Sequence, residues 1–120
     1  DLDLLQAVQL YFEGIHECDV SKLKEVFHPE SSLFDSDKGT IYVEKIDSFL
    51  DDVSTRVSPA SVGQKIKAEI LMIDYLSSIN ATAKIRIQTH KSIFVDHLAF
   101  VKGESGWKIV SKVWHLEREE

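Results

Sequence analysis

Apolar residues recur at helical spacing through the first 18 positions. Leu5, Val8, Phe12 and Ile15 define a stripe, widened by Leu4 and Tyr11, which predicts an amphipathic helix. Asp19 is placed to cap a second, shorter helix by accepting a bond from the free amides of its first turn. Leu23, Val26 and Phe27 form the expected buried face of that helix, and His28-Pro29 ends it, because a residue before proline is pushed out of the helical region. Ser32-Leu33-Phe34 then reads as a short strand. Asp35 to Gly39 has hairpin chemistry, and Thr40 to Val43 returns as the partner strand. Ile46, Phe49, Leu50 and Val53 predict a third helix over about residues 45–56, followed by a loop from Ser58 to Gly63.

The period changes in the second half, which reads as a meander of strands. In the first, over residues 65–75, Ile66, Ala68, Ile70 and Met72 are expected on one face. In the second, over residues 79–90, Ala81, Ala83, Ile85 and Ile87 alternate with Thr82, Lys84, Arg86 and Gln88, giving one buried and one wet face. Residues 92–102 are apolar on both faces, as a central or interface strand would be. Alternation in the last strand, residues 107–116, puts Trp107 and Trp114 on opposite faces, and a charged tail follows to Glu120. No repeat or linker interrupts the chain, so the reading is one α+β domain over residues 1–120, with N-terminal helices packed on a curved, mostly antiparallel sheet.

Composition narrows the function classes. A net charge of -6 argues against a nucleic-acid surface, and no Lys/Arg cluster suggests an anionic membrane. Cys18 is the only cysteine, which suits a reducing, cytoplasmic setting. The chain starts at Asp1 without a methionine, so a trimmed leader stays open.

The order helix, helix, hairpin, helix, four strands resembles the cone-shaped nuclear-transport-factor-2-like (NTF2-like) superfamily over nearly the whole chain. It is most similar in texture to the lumazine-binding-type branch. The segments carrying the likeness are Val8 to Ile15, Phe27-His28-Pro29-Glu30, Asp96-His97-Leu98-Ala99-Phe100 and Gly106-Trp107-Lys108-Ile109-Val110-Ser111-Lys112. The resemblance implies a small apolar or aromatic ligand in a pocket between helices and sheet, and pairing of two copies through the outer sheet face.

A more distant resemblance is to ketosteroid isomerases, which share the fold. By that likeness Tyr11 and a protonated Asp96 form an oxyanion hole, and Asp35 is the general base. Ser36 follows Asp35, whereas the isomerase base precedes a proline. Burial of Asp96 beside Phe94, Leu98 and Phe100 would raise its pKa, as donation from a carboxyl group requires. Phe12, Ile15, Phe34, Phe49, Val53, Phe94, Leu98 and Trp114 are expected to line the pocket. Structural readings stay open beside these. Tyr11 can be a core tyrosine with a backbone partner, Asp35 a turn residue, and Asp96 a carboxylate satisfied by Tyr11 or His97. His28 suits a helix end, and Cys18 lacks the neighbouring base a nucleophile needs. The histidines show no HxH or HExxH spacing, so neither a metal nor a cofactor is expected. The expected function is a small-molecule-binding domain, with an isomerase or dehydratase and a non-catalytic dimeric module as alternatives.

Overall fold

The computed structural model describes residues 1–119. Its elements run α1 (Leu2–Glu17), α2 (Val20–Val26), β1 (Phe27–Asp37), β2 (Thr40–Lys45), α3 (Ile46–Ser54), a 3-10 turn (Ala60–Val62), β3 (Ala68–Tyr75), β4 (Asn80–Gln88), β5 (Ser92–Gly103) and β6 (Gly106–Glu119). The six strands form one sheet in the order β2-β1-β6-β5-β4-β3. All neighbours are antiparallel except β1 and β6. The helices cover one face, and the core lies between the two layers.

Both early helices are capped as their sequences require. The Asp1 carboxylate accepts from the amides of Asp3 and Leu4 at 2.9 and 3.1 Å, and Asp19 accepts from Lys22 at 3.1 Å. Between them Cys18 takes the left-handed conformation that reverses the chain. The reversal presses α1 onto α2 at Gly14, where a Cβ would stand 2.6 Å from a methyl of the fully buried Leu23. The stripe of α1 is Leu4, Val8, Tyr11, Phe12 and Ile15, while Leu5 is 42% exposed and lies outside it. α3 buries Ile46, Phe49, Leu50 and Val53 as expected.

Four expectations for the sheet are corrected. β1 is longer than three residues: it starts at Phe27 and bends, with a register shift against β6 between Phe27 and Ser32. In β3, Leu71 is an extra residue between the pairs Ile70–Ile85 and Met72–Lys84. The bulge moves Met72 to the face opposite Ile70, against the simple alternation. In β6, Val110 is extra, because Ala99 pairs with Ser111 whereas Phe100 pairs with Ile109. Trp107 and Ile109 face the helices before this bulge; after it Lys112 and Trp114 do, so the two tryptophans share one face. The strand also extends through most of the expected charged tail, to Glu119; Glu120 lies outside the described residues. No helix is long and apolar enough to cross a membrane among the described residues.

Candidate functional site

Three polar side chains from three elements meet under the helical layer. Tyr11 comes from the buried stripe of α1 and is fully buried. Asp96 comes from the inner face of β5, opposite Ile85 on one side and Trp114 on the other. Lys112 comes from β6, turned inward by the Val110 bulge. The Tyr11 hydroxyl donates to Asp96 Oδ2 at 3.1 Å and accepts from Lys112 Nζ at 2.9 Å. Lys112 Nζ is also 3.7 Å from Asp96 Oδ2 and lies 4.4 Å above the ring centre of Phe49. Asp96 Oδ1 is buried and has no hydrogen-bond partner among the described residues.

Burial sets the protonation of this cluster. It pushes the Asp96 carboxyl above the ordinary carboxylate range, with the Lys112 charge and the Tyr11 bond pulling back. It pushes the Lys112 amine below the ordinary lysine range, opposed by Asp96. Tyr11 rises well above an ordinary phenol, by burial first and then by the Asp96 charge. The three share protons, so their titration belongs to the cluster.

The cluster lines a cavity of about 220 Å³. Its apolar wall includes Ile15, Leu33, Phe49, Ile87, Phe94 and Trp114. Toward the rim stand Glu44, Asp52 and Arg56; the Arg56 guanidinium bonds Asp52 Oδ2 at 2.6 Å and covers the Phe49 ring at 5.5 Å. Ile15, Arg56, Thr89 and Phe94 also border a second, more open hollow of about 440 Å³, reaching His90 and Lys91. These four residues form the wall common to the two spaces.

Of the expected site residues, the fold brings Tyr11 and Asp96 together, with Ile15, Phe49, Phe94 and Trp114 in the wall. Asp35 is not among the lining residues; it pairs with Tyr42, two steps from the exposed hairpin turn. Phe12 and Leu98 are packed into the core, and Val53 borders only the outer hollow. Phe34 sits on the other side of β1 from Leu33, opposite Val43 and Val113. Lys112, Glu44, Asp52 and Arg56 were not expected. The signal for Lys112 was present: burying both Trp107 and Trp114 on one face requires a phase change between them. Among the described residues no group of three or more His, Cys, Asp or Glu side chains is placed to hold a metal ion.

The family model described as "Putative lumazine-binding" matches residues 2–115. The chain belongs to this family. Its fold is that of the NTF2-like superfamily. Similar solved structures include NTF2-like proteins of unknown function from Shewanella baltica (TM-score 0.85, 23% identity, 98% of this chain and 93% of that one) and Silicibacter pomeroyi (0.84, 19%, 97% and 94%). A ketosteroid isomerase-like protein from Erwinia carotovora atroseptica superposes with TM-score 0.69 at 11% identity, over 94% and 92% of the two chains. Among curated proteins, "Aldolase FrzH" of a Cladobotryum species is 28% identical over 107 residues, covering 88% of this chain and 82% of that protein. Family membership supplies the scaffold; the chemistry has to be argued from Tyr11, Asp96 and Lys112.

Proposed function

We propose that this family member is an enzyme acting at the carbon beside a carbonyl group of a small, largely apolar compound, by isomerisation or by aldol-type bond formation or cleavage. The observation carrying the reading is the hydrogen-bonded run Lys112–Tyr11–Asp96 in the wall of an otherwise apolar cavity. Losing a proton from carbon next to a carbonyl leaves negative charge on the oxygen. Donors already aimed at that oxygen in a dry site each contribute roughly 3–4 kcal/mol. Tyr11 and protonated Asp96 are such donors, and the neutral amine of Lys112 accepts a proton. The base role expected of Asp35 thus falls to the cluster itself. The isomerase-like name of one neighbour and the aldolase name of one relative both fit chemistry that passes through an enolate or its nitrogen equivalent.

The test is exchange of α-hydrogens for deuterium in a panel of small ketones, from acetone to 2-tetralone, followed by NMR in heavy water. The native protein is expected to exchange at least one of them above the buffer rate. Tyr11→Phe is expected to slow that exchange about 10²- to 10³-fold. The variant keeps its ring packing and leaves Lys112 beside Asp96, so the fold should survive. Buffer-level exchange across the whole panel would sink the reading. A bell-shaped pH profile is expected, with its acid limb above the ordinary carboxylate range and its alkaline limb below the ordinary lysine range, following the directions set by burial.

A second reading concerns assembly. The outer sheet face carries Val43 (56% exposed), Phe34 and Val113 (51% exposed) side by side across β2, β1 and β6. Contiguous exposed apolar surface of this kind favours pairing of two copies. Sedimentation at micromolar concentration is expected to give twice the chain mass, and Val113→Glu to return it to the monomer mass.

A further inference from the structure

We propose that Lys112 is a nucleophile, whose amine condenses with the carbonyl carbon of an aldehyde or ketone in the cavity to form an imine. This deepens the reading above and rests on it for the place of the carbonyl group. Lys112 is the one lysine among the residues lining the inner chamber. Its Nζ stands over the Phe49 ring and within 5.4 Å of the Tyr11 ring centre, with its side chain almost wholly buried. Burial disfavours the ammonium form, against the pull of the ring faces and of Asp96, and a free amine is what attack requires.

The rest of the cluster supplies the proton economy of the step. The amine lone pair adds to the carbonyl carbon, and the carbonyl oxygen takes a proton through the Tyr11 hydroxyl, 2.9 Å from Nζ and 3.1 Å from the Asp96 carboxyl. The carbinolamine then loses its hydroxyl as water, taking the second amine hydrogen through the same relay, while the nitrogen keeps a positive charge. In sum, free amine, carboxylic acid and carbonyl compound become iminium, carboxylate and water. The net charge of the cluster is zero before and after, so no uncompensated charge is buried. The Asp96 carboxylate so formed, with the otherwise unbonded Oδ1, then faces the iminium and can take the α-proton. Arg56, Thr89 and Phe94 border both the chamber and the outer hollow, so the water would leave on that side.

The experiment is reductive trapping of the native protein with benzaldehyde and sodium cyanoborohydride near neutral pH, with the modified lysine located by peptide mass mapping. The expected result is an N-benzyl group on Lys112, formed about tenfold or more faster than on exposed lysines such as Lys24 and Lys65, because an ordinary lysine is almost entirely ammonium near pH 7. Tyr11→Phe is expected to slow labelling of Lys112 while leaving the exposed lysines unchanged. The paired change Asp96→Leu with Lys112→Met is expected to lose the fast adduct while keeping the native circular dichroism. Labelling of Lys112 no faster than of exposed lysines, alongside measurable ketone exchange, would overturn the imine and leave the enolising reading standing. Absence of both adduct and exchange would overturn the two together.

Discussion

Lys112→Met is expected to destabilise the protein by about 3–5 kcal/mol once the pH is high enough to ionise Asp96, because the carboxylate is then buried without its partner. Lys112 is the strongest influence holding Asp96 down against burial. Without it the folded-state pKa of Asp96 rises further above its unfolded value. A group raised in this way binds more protons folded than unfolded. Its contribution is therefore intact at acid pH and is lost as pH rises toward the folded pKa. Urea unfolding should show the gap between variant and native protein widening as pH climbs above the ordinary carboxylate range. A gap constant with pH would mean that only packing had been lost. The paired change Asp96→Leu with Lys112→Met removes the stranded charge, and should recover most of the loss.

Phe27→Ala is expected to cost a further class of stability, about 3–5 kcal/mol, by leaving a hole at the junction of α2 and β1. Phe27 is almost fully buried, with its ring 5.9 Å from that of Tyr11 and 6.0 Å from that of Phe49. It thus wedges the donor of α1 and the ring beneath Lys112 into place. The denaturation midpoint should fall sharply, and the near-ultraviolet dichroism should weaken as the rings lose fixed neighbours. Phe27→Leu fills most of the hole and should cost under about 1.5 kcal/mol. Equal losses in the two variants would mean that the aromatic contacts, rather than the filled volume, carry the stability.

The parts of this molecule that obey a fixed period were legible from the sequence, and the parts that depend on a break in period were not. The inward face of β4 and the set Phe94, Asp96, Leu98 and Phe100 on β5 follow strict alternation, so the buried carboxylate was evident. Tyr11 was evident because a helical stripe points to one side. Which of Leu4 and Leu5 lies inward was not, since the two flank the stripe and only contact with the sheet decides between them. Lys112 escaped because alternation from Trp107 assigns it to solvent, and one extra residue reverses that assignment. Glu44, Asp52 and Arg56 escaped for another reason. Glu44 on β2, Asp52 on α3 and Arg56 just beyond its end reach the rim only through the packing of α3 against β1, which no local pattern encodes. Asp35 was assigned by likeness to an isomerase, and the hairpin carries it beyond the lining.

The extra residue at Val110 also governs how relatives should be compared. From Ser111 to Leu116, each side chain of β6 has exchanged sides with the one next to it, until a second extra residue at Glu117 restores the alternation. A relative whose last strand lacks the first extra residue would offer the cavity the neighbouring column of an ungapped alignment, so matching letters there would not mean matching positions in space. Counting back from the superposed cavity, rather than along the text of the sequence, is what tells whether another member carries an amine at this spot.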